Sequence, residues 1–382
     1  MARWFDERGE EIMTLRKEPI RILQVVTSLN PGGIENYLMN LYRNIDREVI
    51  QFDFLVHRSE PGLYEKEVED LGGRIYRVPR ANPLNPNYFA SLNAFFSEHG
   101  YSVVHAHLDC MSAFVLKAAK KYGVTTRVAH SHSSSQDRDL KYPIKLLCKR
   151  LIPRYATDLF ACGQQAGAWM FNGRAFSIKP NAIDLNRFRF SMESRLALRG
   201  EFSIPDNAVL MGHVGRFNPV KNQSFLLDVL KEALQAHKDA YLMLIGDGEQ
   251  RQPVEERAKD LGVSERVRFA GVRNDVQACM SAFDIFAMPS LYEGLPLVLV
   301  EAQASGLQCL INDSIPADCD LTDLIVRLPL ETSCWAEKIP DSNLGQQKFR
   351  DVNLKTLADC GFDINDAAAE MQKFYLDRSA RQ

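Results

Sequence analysis

The stretch that decides the fold is "RILQVVTSLNPGGIENYLMNLYRNI", residues 21 to 45. It opens with a short apolar run of strand length, continues through the turn "NPGG", and ends in a segment whose apolar residues recur at helical spacing. These features together make one β-loop-α unit. Such units are typical of a parallel sheet that helices cover on both faces.

The same pattern recurs along the chain. "FDFLVH", "VVHAH" and "RVAHSH" are predicted to be further strands of one doubly wound α/β domain, and a polar linker, residues 179–190, precedes a second series that begins at "VLMGHVG". A chain of 382 residues exceeds the size at which one core stops growing, so we expect two Rossmann-like domains. We place a disordered leader at 1–18, the N-terminal domain at 19–185 and the C-terminal domain at 186–362.

The composition excludes several classes of protein. A net charge of −3 gives no general attraction to nucleic acid, and no stretch has the length and apolarity of a signal peptide or a membrane span. The eight cysteines lack a C-x-x-C pair, which indicates reduced thiols and no zinc site. No G-x-G-x-x-G follows the first strand of either half, so a dehydrogenase is disfavoured. We expect a cytoplasmic globular protein.

Candidate site residues follow the predicted strands. Ligands of open α/β sheets bind beyond the carboxyl ends of the strands, and two facing domains form a cleft there. The residues at these positions are Gly32, Gly33, His105, His107, His130, His132, Arg216, Lys221, Gly246 to Gly248 and Glu293.

The segment "SLYEGLPLVLVEAQASG", residues 290–306, is mostly apolar but carries Glu293 and Glu301, with seven residues between them. Pro296 suits the first helical position and Gly306 suits a left-handed residue past the last turn, which predicts a helix from about Leu295 to Ser305.

Within this predicted helix, Glu301 projects from an apolar or small-residue face and Gln303 points roughly the other way. The amides of Gly294 and Leu295 would be free at the helix N-terminus, where anions such as phosphate bind. The alternative is one solvated glutamate and one helix cap.

Arg216 and Lys221 follow a predicted strand in "GRFNPVKNQ". Two cations at a strand end, opposite the helix after Glu293, form a plausible clamp for a diphosphate. The alternative is a pair of surface cations.

At this point the residues resemble a known family. "SLNPGGIENYLMNLYRNI", "VGRFNPVKNQ", "LIGDGEQR", "VRFAGVRNDV" and "DIFAMPSLYEGLPLVLVEAQASGL", in this order, are similar to the retaining glycosyltransferases of family four, which have the GT-B fold. The resemblance spans about residues 20 to 312 and points to the branch that builds bacterial exopolysaccharides and capsules. It implies two Rossmann-like domains that face each other across a cleft, with a C-terminal helix, residues 363–382, that returns to the first domain.

The resemblance also implies roles for the site residues. Glu293 would lie near the hydroxyls of the donor sugar, and Glu301 would accept hydrogen bonds from the nucleotide ribose, which suits an ionised carboxylate. Arg216 and Lys221 would hold the diphosphate, helped by the amides of Gly294 and Leu295.

The remaining implied contacts lie in strand-end loops. The loop from Gly271 to Asn274, which includes Arg273, would meet the nucleotide base, and Gly246 and Asp247 would also lie on the donor side. Gly32 and Gly33 would approach the diphosphate or the acceptor, since glycine lets the backbone come close. His132 matches a histidine that lines the transfer site, His130 is a close competitor, and either could be a structural histidine.

The expected reaction transfers a sugar from a nucleotide-diphosphate sugar, with retention through same-face attack, to a saccharide or polyprenyl-linked acceptor. UDP-sugars are favoured over GDP-sugars, and neither a cofactor nor a divalent metal is required. The alternatives are a nucleotide-sugar epimerase of similar fold and an inactive scaffold that binds the nucleotide sugar. The basic amphipathic stretch from Lys141 to Arg154 could contact an anionic membrane surface, or it could be an ordinary solvated helix.

Overall fold

A computed structural model describes residues 18–133, 142–341, 350 and 354–380. Two parallel sheets organise these residues, and the expectation of two doubly wound α/β domains is confirmed. The expected leader falls on residues 1–18, of which 1–17 lie outside the described residues.

The first domain is built on a seven-stranded sheet in the order β3-β2-β1-β4-β5-β6-β7. Its strands are β1 (Ile20–Val26), β2 (Ile50–Val56), β3 (Ile75–Arg77), β4 (Val103–Ala106), β5 (Thr126–Ser131), β6 (Asp158–Ala161) and β7 (Ser177–Ile178). Its helices are α1 (Gly33–Asn44), α2 (Glu65–Asp70), α3 (Pro86–Glu98), α4 (Ser112–Lys121), α5 (Tyr142–Tyr155) and α6 (Gln164–Phe171). The order reverses between β1 and β4, so their following loops diverge and open a crevice.

The second domain has a six-stranded sheet in the order β10-β9-β8-β11-β12-β13. Its strands are β8 (Val209–Val214), β9 (Ala240–Ile245), β10 (Val267–Gly271), β11 (Ile285–Met288), β12 (Gln308–Asn312) and β13 (Ile325–Leu328). Its helices are α7 (Met192–Glu201), α8 (Gln223–Gln235), α9 (Arg251–Asp260), α10 (Val276–Ala282), α11 (Leu297–Ala304), α12 (Thr332–Glu337) and α13 (Leu354–Asp359). Here the order reverses between β8 and β11, the strands that precede Lys221 and Glu293.

The strands form as predicted because both faces of each sheet are covered. In β1, Ile22, Leu23, Val25 and Val26 are at most 1% exposed although they alternate between the two faces. Helix α1 supplies part of this cover through Leu38, Leu41 and other apolar residues on its inner face.

The last helix, α14 (Ile364–Ser379), returns to the first domain as expected and packs against α1, β1 and β4. Its residues Ile364, Ala368, Met371 and Tyr375 are buried in the first-domain core. A single bridge between Ile183 and Asp363 joins the start of this helix to the segment that connects the domains. Within the described ranges, no helix is long and apolar enough to cross a membrane.

A buried ionic cluster connects three elements of the second domain. Arg195 and Arg199 lie one turn apart on α7, and their guanidinium groups contact the carboxylate of Asp284 at 2.7 and 3.2 Å. The Asp284 carboxylate also accepts the Leu210 N–H at 2.8 Å. The cluster therefore joins α7 to the start of β8 and β11.

Candidate functional site

A cavity of about 590 Å³ lies between the two domains. The first domain contributes side chains of α1 and the α2 region, among them Asn36, Asn40, Arg43, Tyr64 and Glu67. The second domain contributes Arg187, Arg273, Asn274, Gln277, Leu297 and Glu301. The cavity thus contains both predicted donor-side residues and residues that the sequence did not single out.

A larger cavity, of about 710 Å³, lies in the first domain at the amino-terminal ends of β1 and β5. Its buried carboxylate, Asp53, already accepts from Arg21 at 2.7 Å and from the Tyr101 hydroxyl at 2.8 Å. Because ligands of such sheets bind at the opposite, carboxyl ends of the strands, we assign the functional site to the interdomain cavity.

Glu301 is the acidic residue of the cavity wall on the second domain. Burial raises the pKa of its carboxyl to about 7, and the nearby positive charge of Arg187 opposes this rise. Arg187 lies in a short 3-10 helix, Asn186–Phe188, in the connection between the domains. It donates to the Asn274 carbonyl at 3.5 Å and to Gln277 Oε1 at 3.3 Å, which ties that connection to the β10-α10 loop.

The helix that carries Glu301 starts later than predicted. Pro296 is the residue before the first helical turn, with φ −73° and ψ 109°, and not the first helical residue, because its extended ψ turns the chain out of the helix. The predicted end is correct: Gly306 has φ +69°, and the Leu307 N–H donates to the Ala302 carbonyl at 3.1 Å.

Gly294 and Leu295 therefore lie in a bend before α11 and not in its first turn. Among the described residues, neither of their amides donates to a backbone carbonyl. On the opposite face of the helix from the cavity, Gln303 is fully buried and donates to the carbonyls of Leu299 and Cys319.

Glu293 and Lys221 are brought together by the folding of the β8 and β11 loops. The Lys221 ammonium lies 2.6 Å from Glu293 Oε1, and the two side chains are 20% and 14% exposed. Next to Lys221, Asn222 adopts a left-handed conformation with φ +54° and donates to the Pro289 carbonyl at 3.4 Å. This turn directs Lys221 toward the loop that carries Glu293.

Arg216 does not join this pair. Its side chain is 72% exposed, and its guanidinium lies 3.3 Å from the Glu249 carboxylate in the loop after β9. The structure thus separates the two cations that the sequence analysis placed in one clamp.

The predicted donor-side glycines have packing roles in the strand-end loops. Gly246 has φ +130°, and a Cβ atom there would lie 2.1 Å from the Gly215 carbonyl oxygen. Its N–H donates at 2.8 Å to the carbonyl of Gly271, which has φ +66°. Asp247 is 61% exposed and accepts the Gly248 N–H at 2.8 Å. These contacts pack the loops after β8, β9 and β10 against one another.

Arg273 lines the cavity, but two carboxylates already bind its guanidinium. It lies 2.7 Å from both Glu201 and Asp275, and these hydrogen bonds raise the pKa of Arg273. Asn274 contributes the carbonyl that accepts from Arg187.

On the first domain, Gly32 caps α1 and Gly33 is its first residue. A Cβ at Gly32 would lie 2.6 Å from the Glu35 carboxylate, whereas the space beside Gly33 is open. Burial raises the pKa of the Glu35 carboxyl. A Cβ at position 32 would therefore require the Glu35 side chain to shift, and the approach to Gly33 is unobstructed.

Four histidines stack at the carboxyl ends of β4 and β5. The ring centroids of His105 and His107 are 4.3 Å apart, and those of His130 and His132 are 4.1 Å apart. His130 is 2% exposed, whereas His132 is only partly buried. Burial lowers the pKa of all four rings, and that of His132 to about 4.

Both ring nitrogens of His132 are hydrogen-bonded to protein. Nε2 lies 2.9 Å from His107 Nδ1, and Nδ1 lies 2.9 Å from Asn181 Oδ1. In this arrangement His132 has a fixed orientation and no free nitrogen for a substrate.

His105, His107 and His130 are spaced so that they could hold a metal ion, with nitrogen atoms within 4.8 Å of one another. Five of their six ring nitrogens already have hydrogen-bond partners, which are Tyr375, Gln24 and other histidines. His130 Nε2 has no partner among the described residues.

Four cavity residues were not predicted from the sequence: Arg187, Asn36, Asn40 and Arg43. The last three do carry a signal, because they recur at helical spacing and form a polar stripe on α1. Arg187 carries none, since its cavity contact depends on the path of the connection between the domains.

Comparison with known proteins agrees with this architecture. A family model described as "Glycosyl transferase 4-like domain" matches residues 32–176, and one described as "Glycosyl transferases group 1" matches residues 194–321.

Curated relatives match over most of the chain. "Putative glycosyltransferase EpsF" of Bacillus subtilis (strain 168) is 37% identical over 93% of this chain and 96% of its own length. "UDP-Gal:alpha-D-GlcNAc-diphosphoundecaprenol alpha-1,3-galactosyltransferase" of Escherichia coli is 26% identical over 60% of this chain and 62% of its own. "Capsular polysaccharide biosynthesis glycosyltransferase CapH" of Staphylococcus aureus is 23% identical over 94% and 99%.

A solved structure, Anabaena HepE in complex with UDP and glucose, superposes with a TM-score of 0.76. It is 21% identical and covers 93% of this chain and 99% of that one, a likeness that shows the shared fold.

Proposed function

Because the chain belongs to the family-four, group 1 glycosyltransferases with the GT-B fold, we propose that it transfers a sugar from a UDP-sugar to a saccharide or polyprenyl-linked acceptor in bacterial surface polysaccharide synthesis. The donor and acceptor classes are supported by the names of the Escherichia coli and Staphylococcus aureus relatives and by the HepE complex. GDP-sugars are the second choice of donor.

The observation that carries this proposal is the placement of two acids from one short segment. Glu301 lines the interdomain cavity, and Glu293, just before the same helix, pairs with Lys221 at the end of β8. A carboxylate suits ribose or sugar hydroxyls because it only accepts hydrogen bonds, and an ammonium suits a diphosphate. We assign the ribose to Glu301, the donor sugar to Glu293 and the diphosphate to Lys221.

Other predicted residues complete the proposed donor site. The amides of Gly294 and Leu295 bind the diphosphate, and the backbone from Gly271 to Asn274 meets the base. Arg216 is 72% exposed, so its side chain can leave Glu249 for the diphosphate at little cost. Arg273 acts by holding the β10-α10 loop through Asp275.

The reaction proceeds on one face of the sugar. The bond between the anomeric carbon and the diphosphate oxygen breaks, the acceptor oxygen forms its new bond on the same face, and the acceptor proton passes to the leaving diphosphate. Lys221 stabilises the charge that develops on this leaving group. No protein base is needed, which fits a neutral His132 whose pKa is lowered to about 4. His132 is assigned to line the transfer site, and Gly33 to approach the acceptor side.

The first test is calorimetric binding of UDP, GDP and ADP, each with and without a chelator, followed by turnover with radiolabelled UDP-sugars. We expect UDP to bind best and the chelator to have no effect, because the cations of the proposed site are side chains. Binding of none of the three nucleotides would contradict the proposal. A free, altered sugar formed without acceptor would identify an epimerase, and binding without turnover would identify a scaffold.

We also propose a peripheral location on the cytoplasmic face of the membrane. On α5, Leu147 is 60% exposed beside the cations Lys149, Arg150 and Arg154, and Leu146 is 36% exposed. Lys141, the start of the predicted basic stretch, lies outside the described residues. Each cation near an anionic surface contributes ~1 kcal/mol, so the protein should sediment with phosphatidylglycerol vesicles but not with phosphatidylcholine vesicles. The variant Arg150→Gln/Arg154→Gln should weaken sedimentation, while Lys66→Gln on α2 should not.

A further inference from the structure

Seven side chains form one continuous hydrogen-bonded chain from the connection between the domains to the core of the first domain. In order, they are Asn181, His132, His107, Gln24, Tyr375, His105 and His130. Six of them are at most 4% exposed, and His132 is the partly exposed member. The chain joins β1, β4 and β5 to α14, whose contribution is the hydroxyl of Tyr375.

The protons of this chain can be counted. Burial lowers the pKa of the four histidines, so each ring is neutral at neutral pH and carries one N–H. Between Gln24 Oε1 and Asn181 Oδ1 there are three contacts, at 3.1, 2.9 and 2.9 Å, but His107 and His132 supply only two N–H groups. One of the two side-chain amides, Gln24 or Asn181, must therefore be flipped, so that its NH2 group takes the place of its oxygen and supplies the third proton.

With either amide flipped, all hydrogen bonds of the chain donate in the same direction. If Asn181 is flipped, every member donates toward His130: His132 donates to His107, His107 to Gln24, Gln24 to Tyr375, and Tyr375 to His105. If Gln24 is flipped, every donor becomes an acceptor, and His132 carries its proton on Nδ1 instead of Nε2. The tautomer of His132 is thus fixed by the direction of the whole chain.

The inner end of the chain is the ring of His130. Its Nδ1 lies 3.2 Å from His105 Nε2, and its Nε2 has no hydrogen-bond partner in the part of the chain that the structure describes. The direction of the chain is therefore set by the links among Asn181, Gln24 and Tyr375.

We propose that Tyr375 of the C-terminal helix is a positioning residue for sugar transfer, which acts through Gln24 and His107 to hold His132 in one tautomer and one ring orientation. The Tyr375 hydroxyl is the central link, since it lies 3.1 Å from Gln24 Nε2 and 2.7 Å from His105 Nδ1. Docking of α14 on the first domain thereby contributes to the transfer site without touching the substrate. This inference rests on the proposed function, which places His132 at that site.

The test is Tyr375→Phe, which removes only the hydroxyl from a fully buried ring. The matched control is Tyr88→Phe, because Tyr88 is also fully buried and its hydroxyl lies 3.2 Å from a histidine nitrogen, His57 Nε2, outside the chain. Two readouts are measured on the full-length protein: the tautomers of ¹⁵N-labelled histidines by NMR, without substrate, and the kcat and KM for the donor.

In Tyr375→Phe we expect the ring signals of His105, His107 and His132 to change from one tautomer to a mixture. The loss of one hydrogen bond should lower kcat by ~5-fold and leave the donor KM within about twofold of the wild type. Tyr88→Phe should leave the kcat and the signals of His105, His107, His130 and His132 unchanged, with any change confined to His57. Wild-type histidine signals in Tyr375→Phe would overturn the inference, and so would altered signals with an unchanged kcat.

A second variant keeps the inference testable if Tyr375→Phe does not fold. Gln24→Met removes the link between Tyr375 and His107 but keeps the contact of Tyr375 with His105, so only His107 and His132 should change their tautomers. Unchanged signals in this variant would also overturn the inference. A wild-type protein without transferase activity would refute the proposed function, whereas the histidine signals would still decide whether Tyr375 orders the chain.

Discussion

The ammonium of Lys221 lies 2.6 Å from the carboxylate of Glu293, although 72 positions separate the two residues in sequence. Both side chains are mostly buried, at 20% and 14% exposed, so each satisfies the charge of the other in the absence of substrate. A diphosphate that binds Lys221 must share this cation with Glu293 or displace it. The pair therefore couples the diphosphate to the residue assigned to the donor sugar.

Lys221→Met tests this coupling. The change removes one charge-assisted hydrogen bond to the diphosphate, so UDP affinity should fall by ~10-fold or more in calorimetry. The control is Lys66→Met, since Lys66 also pairs with an acid, Asp70, but is 86% exposed. An unchanged UDP affinity in Lys221→Met would remove Lys221 from the donor site.

Glu301 should make the stability of the protein depend on pH. Burial raises the pKa of its carboxyl from 4.5 to about 7, so between these values the folded protein binds more protons than the unfolded chain. The contribution of Glu301 to the free energy of unfolding should fall as pH rises from 4.5 to 7 and stay constant above 7. By pH 8, Glu301→Gln should be more stable than the wild type by ~1–3 kcal/mol in urea titrations.

At pH 5 the same two proteins should differ much less in stability, because Glu301 is then protonated in the folded state, and the difference should vanish below pH 4.5. UDP binding provides the functional counterpart: Glu301→Gln should weaken it at pH 8 by removing an ionised acceptor for the ribose hydroxyls. A stability difference that is the same at pH 5 and pH 8 would contradict the raised pKa.

Gly246→Ala should destabilise the second domain. Its φ of +130° is unfavourable for alanine, and the new Cβ would lie 2.1 Å from a carbonyl oxygen that belongs to backbone. We expect a loss of ~2 kcal/mol or more in urea titrations. Gly123→Ala is the matched control, because Gly123 also has a positive φ, +80°, but open space around it. An equal loss in both variants would show that backbone strain alone, and not loop packing, sets the cost.

Asp284→Ala should be among the most destabilising changes in the second domain. It would leave the guanidinium groups of Arg195 and Arg199 buried without their carboxylate, at a cost of ~3–5 kcal/mol in the free energy of unfolding. Asp70→Ala, which breaks an exposed pair on α2, should change the free energy of unfolding little. A small loss for Asp284→Ala would mean that water reaches the two arginines.

The sequence predicted two parallel sheets, though only part of their strands, for a physical reason. Strands that are covered on both faces are continuous apolar runs, so β1 and β11 can each be recognised from their own sequence without knowledge of the neighbouring strands. The start of α11 was misplaced because proline is acceptable both at the first helical position and just before it, and only the ψ of 109° at Pro296 distinguishes the two.

The site was only partly predictable. Strand-end positions identified Glu293 and Lys221, and the face of the predicted helix identified Glu301. The separation of Arg216 from Lys221, however, depends on an exposed ion pair with Glu249 that no spacing indicates. The contact between Tyr375 and Gln24 could not be predicted from the sequence, because it joins residues 351 positions apart and neither side chain is unusual in its own segment.

The return of α14 has a consequence for biosynthesis. Met371 and Tyr375 complete the hydrophobic core of the first domain, yet they are translated after the whole second domain. During synthesis the second domain can therefore complete its core first, whereas the core of the first domain stays incomplete until α14 has left the ribosome. A fragment that ends at residue 185 would expose the apolar surface that α14 covers, and excision of the first domain for separate expression requires that this helix be supplied with it.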